Sequence, residues 1–332
     1  MFRIWFERDV PDHVGANLEG VAEPIGPGTA TPHDLLASVG PADAIIASSL
    51  VVYDGPAMDR APRLRVIART GIGYDKVDLM AAADRGVAVC NAPDAPTTST
   101  AEHTFALMLA AAKRVTAAQA ALREGGRDFF ASHHGLELAG LCLGLVGVGR
   151  IGGSVARMTA GFGMRVIAHD PFVDVAAVAE SDIQLVDSLE RLLAEADVVS
   201  LHLPLTNETI RLIDGKKIEV MKPGSILINT ARGGLIDHDA LLVGLEQGKL
   251  FGAGLDVTDP EPLPPDHPLL HRHDVIVTPH IAAATEAGKA RLYESAVNQA
   301  LQVLRGERPR HLVNPDVWPV RRPDPSFQEN SA

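Results

Sequence analysis

The stretch Leu141–Pro171, LCLGLVGVGRIGGSVARMTAGFGMRVIAHDP, decides the fold. Leu141 to Val146 is an apolar run with the length and composition of a buried parallel strand. Gly147, Gly149 and Gly152 follow at G-x-G-x-x-G spacing. Ile151, Val155, Met158 and Phe162 then recur at steps of three and four, the period of a helix, and Gly163 ends it. A second strand, Met164 to Ala168, leads to Asp170.

The residue types have physical reasons. Gly147 permits a tight turn, Gly149 lets backbone approach a pyrophosphate, and Gly152 lets the helix pack on the strand. A pyrophosphate sits at the helix N-terminus, where free N–H groups and the macrodipole favour negative charge. Asp170 lies 18 residues beyond Gly152. A carboxylate there accepts hydrogen bonds from ribose hydroxyls and repels a 2′-phosphate, so the sequence favours NAD over NADP. A glycine-rich turn of any α/β domain shares the spacing alone; the flanking strands, helix and terminal acid distinguish this one.

Composition sets the frame. A chain of 332 residues suits two domains, and 46% apolar with 22% charged residues is globular. A net charge of −12 argues against nucleic acid or an anionic membrane as main partner. Cys90 and Cys142 both lie in apolar strand-like runs and read as reduced core residues, not a disulfide framework or metal site. With no leader-like apolar segment, the expectation is a cytoplasmic protein.

Outward from the central stretch, strands alternate with helices, which predicts doubly wound parallel sheets. Before it, strand candidates are Phe2–Phe6, Ala44–Ser48, Leu64–Ala68 and Val87–Cys90. The Thr70–Gly73 loop after the third could bind a carboxylate through backbone N–H groups, or be an ordinary β–α turn. A Pro/Thr-rich connector, Asn91–Thr100, leads into a helical run, Ala101–Lys113, and Arg123–Gly135 reads as a loop. After the central stretch, strands are expected at Val198–Leu203, Ser225–Thr230, Gly252–Val257 and Val275–Pro279, with helices at Ser188–Ala196 and His238–Gln247. A long helix runs from Glu286 to Arg305, and the tail from Pro319 is polar and expected to be disordered.

Ligands of such sheets lie beyond the carboxyl ends of the strands. Arg232, Glu261 and His280 each follow one. Their types suit hydride transfer on a 2-oxo or 2-hydroxy acid. His280 can protonate the oxygen that gains charge. Glu261 can orient the imidazole and favour its charged form, and Arg232 can hold a carboxylate and polarise the carbonyl. Asp256 also ends a strand; it either holds the nicotinamide carboxamide or caps a turn. Neither the His133–His134 pair nor the His271/His273 pair has the ligand spacing of a zinc site, so no metal is expected.

These motifs resemble the NAD-dependent D-2-hydroxyacid dehydrogenases, among them D-3-phosphoglycerate dehydrogenases, glyoxylate/hydroxypyruvate reductases and D-lactate dehydrogenases. The resemblance rests on RTGIGYDKVDL, NAPDAPTTSTAEHT, GLVGVGRIG with HDPF, NTARGGLID, LDVTDPEPLPPDHPL and TPHIAAAT, over about residues 44–318. It implies Arg232, Glu261 and His280 as the catalytic set. It implies cofactor contacts from Arg150, Ile151, Asp170, Leu203, Pro204, Thr230, Ala231, Asp256 and Thr97, and substrate contacts from Ile72 and Gly73. It further implies a substrate domain built from both chain ends, residues 1–97 with 293–318, around an NAD-binding Rossmann domain at 98–292, and a homodimer formed mainly through the latter. Substrate side-chain contacts are expected from loops such as Ser48–Tyr53. Two other classes fit the fold: an NAD(H)-sensing corepressor-like protein without turnover, and a hydrolase with an internal NAD.

Overall fold

The computed structural model describes residues 1–174, 178 and 182–322. The chain divides into two compact units, Met1–Pro96 with the chain from Glu286 onward, and Thr97–Thr285.

Unit 1 is a five-stranded parallel sheet of β1 (Phe2–Phe6), β2 (Ala22–Ile25), β3 (Ala44–Ala47), β4 (Val66–Arg69) and β5 (Ala88–Cys90), in the order β2-β1-β3-β4-β5. Among the described residues its short α-helices are α1 (Asp12–Leu18), α2 (Gly55–Asp59) and α3 (Leu79–Asp84). Strands β3, β4 and β5 are buried at every residue, as a parallel sheet covered on both faces requires. Alternate residues feed two cores. Ile4, Phe6, Ile46, Val66 and Ala68 pack beneath the long helix Glu286–Leu304, through Val297, Ala300, Leu301 and Leu304. Trp5, Ile45, Ile67 and Val89 pack on the other side with Met58 and Leu64. The first and last parts of the chain therefore share one core.

The second segment of this unit begins at Glu286, not at 293. The helix Glu286–Leu304 is continuous, and a boundary at 293 would cut through it. The tail also differs from expectation. Pro315–Val320 forms a short 3₁₀ stretch, the Arg321 guanidinium lies over the Trp318 ring, and the Arg322 N–H donates to the Gly86 carbonyl at 2.9 Å. Residues 319–322 are therefore docked; 323–332 lie outside the described residues.

Unit 2 opens with α4 (Thr97–Ala112), α5 (Val115–Arg123) and α6 (Phe129–Ser132), the last two inside and beside the segment expected to be loop. Its seven strands are all parallel: β6 (Cys142–Val146), β7 (Arg165–His169), β8 (Ile183–Leu185), β9 (Val198–Leu201), β10 (Ser225–Asn229), β11 (Leu250–Leu255) and β12 (Val275–Val277). Their order is β12-β11-β10-β9-β6-β7-β8. The helices between them include α7 (Arg150–Thr159), α8 (Leu189–Glu195), α9 (Gly215–Val220) and α10 (His238–Glu246). The last three start at Ser188, Asp214 and Asp237, whose side chains accept first-turn N–H groups, the standard N-cap.

The chain runs outward from β6 through β7 to β8, then returns to lay β9 on the other side of β6. That reversal is a topological switch point, and the crevice beyond the carboxyl ends of β6 and β9 is where ligands of such sheets bind. Helix α4 covers one face; a Cβ on Gly254 would come within 2.8 Å of Leu107. Glycine there lets helix and sheet approach closely.

Candidate active site

The glycine-rich loop is built as its residue types demand. Gly147 has φ +94°, and a Cβ there would stand 2.5 Å from the His202 carbonyl oxygen. A Cβ on Gly152 would stand 2.2 Å from the Gly147 carbonyl oxygen, so the first turn of α7 lies directly on the loop. A Cβ on Gly149 would meet no neighbouring group within 4 Å. Gly149 is also the N-cap of α7 and supplies no side chain, so the helix N-terminus is left for an outside acceptor. Open space over uncapped amides fits a pyrophosphate. Arg150 is exposed and Ile151 half-buried at the same helix start. Thr97, first residue of α4, buries a hydroxyl that has no hydrogen-bond partner, as a residue waiting for a phosphate oxygen would.

Asp170 follows β7. Its Oδ2 accepts from Val148 N–H (3.0 Å) and its Oδ1 from Phe172 N–H (2.9 Å). It therefore ties the glycine-rich loop to the next strand. A carboxylate has about four acceptor sites, so ribose hydroxyls can still be received. No Lys or Arg occurs between Pro171 and Asp174 to favour a 2′-phosphate.

Past β9, Leu203 is half-buried and Pro204 exposed. His202 precedes them; its Nε2 lies 2.9 Å from Ser200 Oγ, and burial pushes the imidazole down to about 4. Past β10, Thr230 Oγ1 meets Thr104 Oγ1 at 3.0 Å, and Ala231 is half-buried. Buried Asn229 clamps the following turn. Its Nδ2 donates to the Arg232 carbonyl (2.8 Å), and its Oδ1 accepts from Ala231 N–H (3.0 Å). Arg232 Nη1 donates to the Ala231 carbonyl at 2.7 Å.

The next residue locks two loops together. A Cβ on Gly233 would fall 2.0 Å from the backbone of Thr258, so only glycine lets the Arg232 loop press on the loop that carries Glu261. His280 Nδ1 lies 2.6 Å from Glu261 Oε1, and both side chains are partly exposed. Burial acts to raise the Glu261 carboxyl. The hydrogen bond and charge of His280, the Thr258 backbone and Arg232 outweigh it and leave the group below the usual carboxylate range.

His280 adopts φ +55°, a left-handed conformation uncommon outside glycine. Asp256 holds it there. Its backbone carbonyl accepts His280 N–H at 2.8 Å. Its Oδ1 accepts from Thr278 Oγ1 (2.6 Å) and Ile281 N–H (2.9 Å), and its Oδ2 from Ala282 N–H (2.8 Å). From α4, His103 Nε2 reaches Thr278 Oγ1 at 3.0 Å and Asp256 Oδ1 at 3.4 Å. Asp256 is 1% exposed. Burial would raise its carboxyl, but His103, Thr278 and the two N–H groups hold it below the usual range. Asp256 caps the turn that carries His280, one of the two readings the sequence left open for it, with both oxygens accepting from that turn.

In unit 1, Ile72 and Gly73 follow β4. The carbonyls of Gly71, Ile72 and Gly73 accept from Ala92 N–H (2.8 Å), Asn91 Nδ2 (2.7 Å) and Arg69 Nε (3.0 Å). In a trans peptide the N–H points opposite to the carbonyl. The amides of Ile72, Gly73 and Tyr74 are thereby each turned away from the group that the preceding carbonyl receives.

Among the described residues, no group of three or more His, Cys, Asp or Glu side chains could hold a metal ion. His133 Nε2 lies against the Lys113 carbonyl and His271 Nε2 against the Pro265 carbonyl.

A glycine cradle open at a helix N-terminus, an acid closing the second strand and an Arg–Glu–His group at the same sheet edge define an NAD-binding oxidoreductase. A family model described as D-isomer specific 2-hydroxyacid dehydrogenase, NAD binding domain, matches residues 105–282, more than half of the chain. A glyoxylate reductase of Korarchaeum cryptofilum is 41% identical over 286 residues, 85% of each protein. A D-3-phosphoglycerate dehydrogenase of Mycobacterium tuberculosis is 44% identical over 280 residues, 84% of this chain and 52% of that protein. The chain thus spans about half the length of that relative. Among solved structures, the TT0316 protein of Thermus thermophilus superposes with a TM-score of 0.84 at 42% identity, covering 94% of this chain and all of that one. A D-2-hydroxyisocaproate dehydrogenase gives 0.81 at 25% identity, covering 95% of this chain and 100% of that one. The chain belongs to the D-isomer-specific 2-hydroxyacid dehydrogenase family. Its reaction is hydride transfer between NAD(H) and 2-hydroxy/2-oxo acids.

Proposed function

We propose that the protein interconverts a small D-2-hydroxy acid and its 2-oxo acid, of the glyoxylate/hydroxypyruvate or 3-phosphoglycerate type. The observation that carries the residue roles is the His280 Nδ1–Glu261 Oε1 contact of 2.6 Å. Ionised Glu261 only accepts, so it takes the Nδ1 proton in hydrogen bond and leaves Nε2 to exchange a proton with substrate. Bound NADH supplies hydride to C2 of the 2-oxo acid. His280 gives its Nε2 proton to the C2 oxygen as negative charge develops there, and in the oxidative direction it takes that proton back. Arg232 holds the substrate carboxylate and polarises the carbonyl. Ile72 and Gly73, on the loop after β4, and the Ser48–Tyr53 loop after β3 are the substrate contacts proposed for unit 1.

On the cofactor side, Gly147, Gly149, Arg150, Ile151, Gly152 and Thr97 take the pyrophosphate, and Asp170 the adenosine ribose. Leu203, Pro204, Thr230 and Ala231 complete the contacts, with Asp256 acting through the His280 turn. The test is NADH consumption, with NADPH in parallel, against glyoxylate, hydroxypyruvate, pyruvate, 2-oxoglutarate and longer 2-oxo acids, and 3-phosphoglycerate with NAD in reverse. Strong turnover of one acid supports the reading and names the substrate. Saturable NADH binding with no turnover of any acid would replace it with a ligand-sensing role.

The working form we propose is a cytoplasmic homodimer joined through unit 2. Helix α5 has no buried residue, Val115 and Leu122 are exposed on it, and nearby Phe130 is 99% exposed; a second copy would cover such apolar surface. Cys90 and Cys142 are free buried thiols, Cys90 pushed up to about 12 by burial, as suits a reducing compartment. Light scattering on the purified protein tests the dimer; a monomer at micromolar concentration would remove it.

A further inference from the structure

The first strand of unit 1 ends in a fully buried acid. Glu7 follows β1 at the carboxyl edge of the five-stranded sheet and has no exposed surface. Burying a carboxylate is unfavourable unless hydrogen bonds replace its water. Glu7 receives five. Oε1 accepts from Ser48 Oγ (2.5 Å), Leu50 N–H (2.6 Å) and Val51 N–H (3.3 Å); Oε2 accepts from Ser48 N–H (2.9 Å) and Tyr53 Oη (2.7 Å). Every donor lies on the loop after β3.

That loop is joined to the next one. Tyr53 N–H donates to the Lys76 carbonyl (2.7 Å) and Asp78 N–H to the Tyr53 carbonyl (2.9 Å). Lys76 Nζ donates to the Ser49 carbonyl (2.7 Å). At the start of this second loop, Arg69 Nε holds the Gly73 carbonyl (3.0 Å). The amides of Ser48, Leu50 and Val51 face Glu7, and the side chains of Leu50 and Val52 on the same loop are exposed.

We infer that Glu7 is a positioning residue for substrate selection: from beneath the sheet edge it fixes the Ser48–Tyr53 loop, and through Tyr53 the Lys76–Asp78 end of the following loop, without touching substrate. This rests on the proposal above that the Ser48–Tyr53 and Ile72–Gly73 loops face substrate. An irregular loop has many conformations of similar energy. A single buried acceptor that gathers five donors reduces them to one, and binding then need not order the loop.

The test compares steady-state kinetics of Glu7→Gln and Tyr53→Phe with the wild-type protein, on the best 2-oxo acid and on a longer one. Asp43→Asn is the control. Asp43 is a second buried carboxylate of the same sheet, at the opposite edge, where it accepts from Arg3 N–H and Arg63. Glu7→Gln is expected to raise KM for the 2-oxo acid about tenfold with kcat within about twofold, the pattern of lost ground-state binding. Discrimination between the short and long acids should shrink, and NADH affinity should not move. Tyr53→Phe should do the same to a smaller degree. Asp43→Asn should lower Tm without changing KM. A folded Glu7→Gln protein with wild-type KM and discrimination overturns the inference, as does an equal KM rise in Asp43→Asn. If Glu7→Gln fails to fold, an unchanged KM in Tyr53→Phe overturns it. A wild-type protein that reduces no 2-oxo acid removes the underlying functional reading, a result distinct from turnover that ignores Glu7.

Discussion

Replacing Asp256 by Asn tests whether the His280 turn is held by charge. Asp256 receives Thr278 Oγ1 and Ile281 N–H on one oxygen and Ala282 N–H on the other. An amide has one oxygen and one NH2. Whichever way it is turned, the NH2 confronts an N–H or O–H donor at about 3 Å. One charge-assisted hydrogen bond is lost and one buried donor left unsatisfied, at about 3–5 kcal/mol together. The released turn would let His280 leave its left-handed backbone conformation, and a shift of about 1 Å at a proton donor costs roughly 100-fold in rate. Urea unfolding at pH 7 measures the first effect and kcat with saturating NADH the second. Wild-type stability with wild-type kcat would refute the assignment of Asp256 to the turn.

Other outcomes follow from the same geometry. His280→Gly should abolish most turnover yet raise stability by about 1 kcal/mol, because φ +55° strains any residue with a Cβ; calorimetry reads the gain, and a loss of stability would contradict it. Gly149→Ala should fold with near-normal Tm and weaken NADH binding, since its Cβ meets only the space meant for pyrophosphate. Gly152→Ala should lower both, since its Cβ would strike the Gly147 carbonyl at 2.2 Å; equal Tm in the two variants would refute the distinction. Acid should destabilise the fold through His202. Its imidazole is held at about 4 against an ordinary 6.5, so as pH falls through that interval the unfolded chain takes up a proton that the folded one refuses. The loss is up to about 3 kcal/mol, complete near pH 4. Urea unfolding between pH 7 and 4.5 should show a shallower decline in His202→Gln; an identical decline would exclude His202 as its source.

The central strands were legible because a parallel strand covered on both faces is an uninterrupted apolar run, as in Cys142–Val146 and Ser225–Asn229. Strands β2 and β8 were not. Both are edge strands needing half the cover, so Ala22–Ile25 carries Glu23 and Pro24 and Ile183–Leu185 carries Gln184. Arg232, Glu261 and His280 stood out because each follows a strand, and sheet topology brings such residues to one edge. The groups that fix the loops of each unit left no local trace. His103 acts on Thr278 across 175 residues and Glu7 on Ser48 across 41. Asn229 was quoted within a motif, but its clamp on the Arg232 turn depends on backbone conformation that composition does not record. The docked turn at Pro315–Val320 was hidden for a related reason: its polar, proline-bearing sequence is held by partners far back in the chain, such as Gly86.

The most direct measurement is single-turnover NADH oxidation by the best 2-oxo acid in wild-type protein and in His280→Ala, with NADH affinity determined separately by calorimetry. The account predicts a rate at least about 1,000-fold lower in the variant, with NADH affinity within about twofold of wild type. A His280→Ala protein that binds NADH normally and oxidises it at the wild-type rate would contradict the assignment of His280 as the group that protonates the substrate.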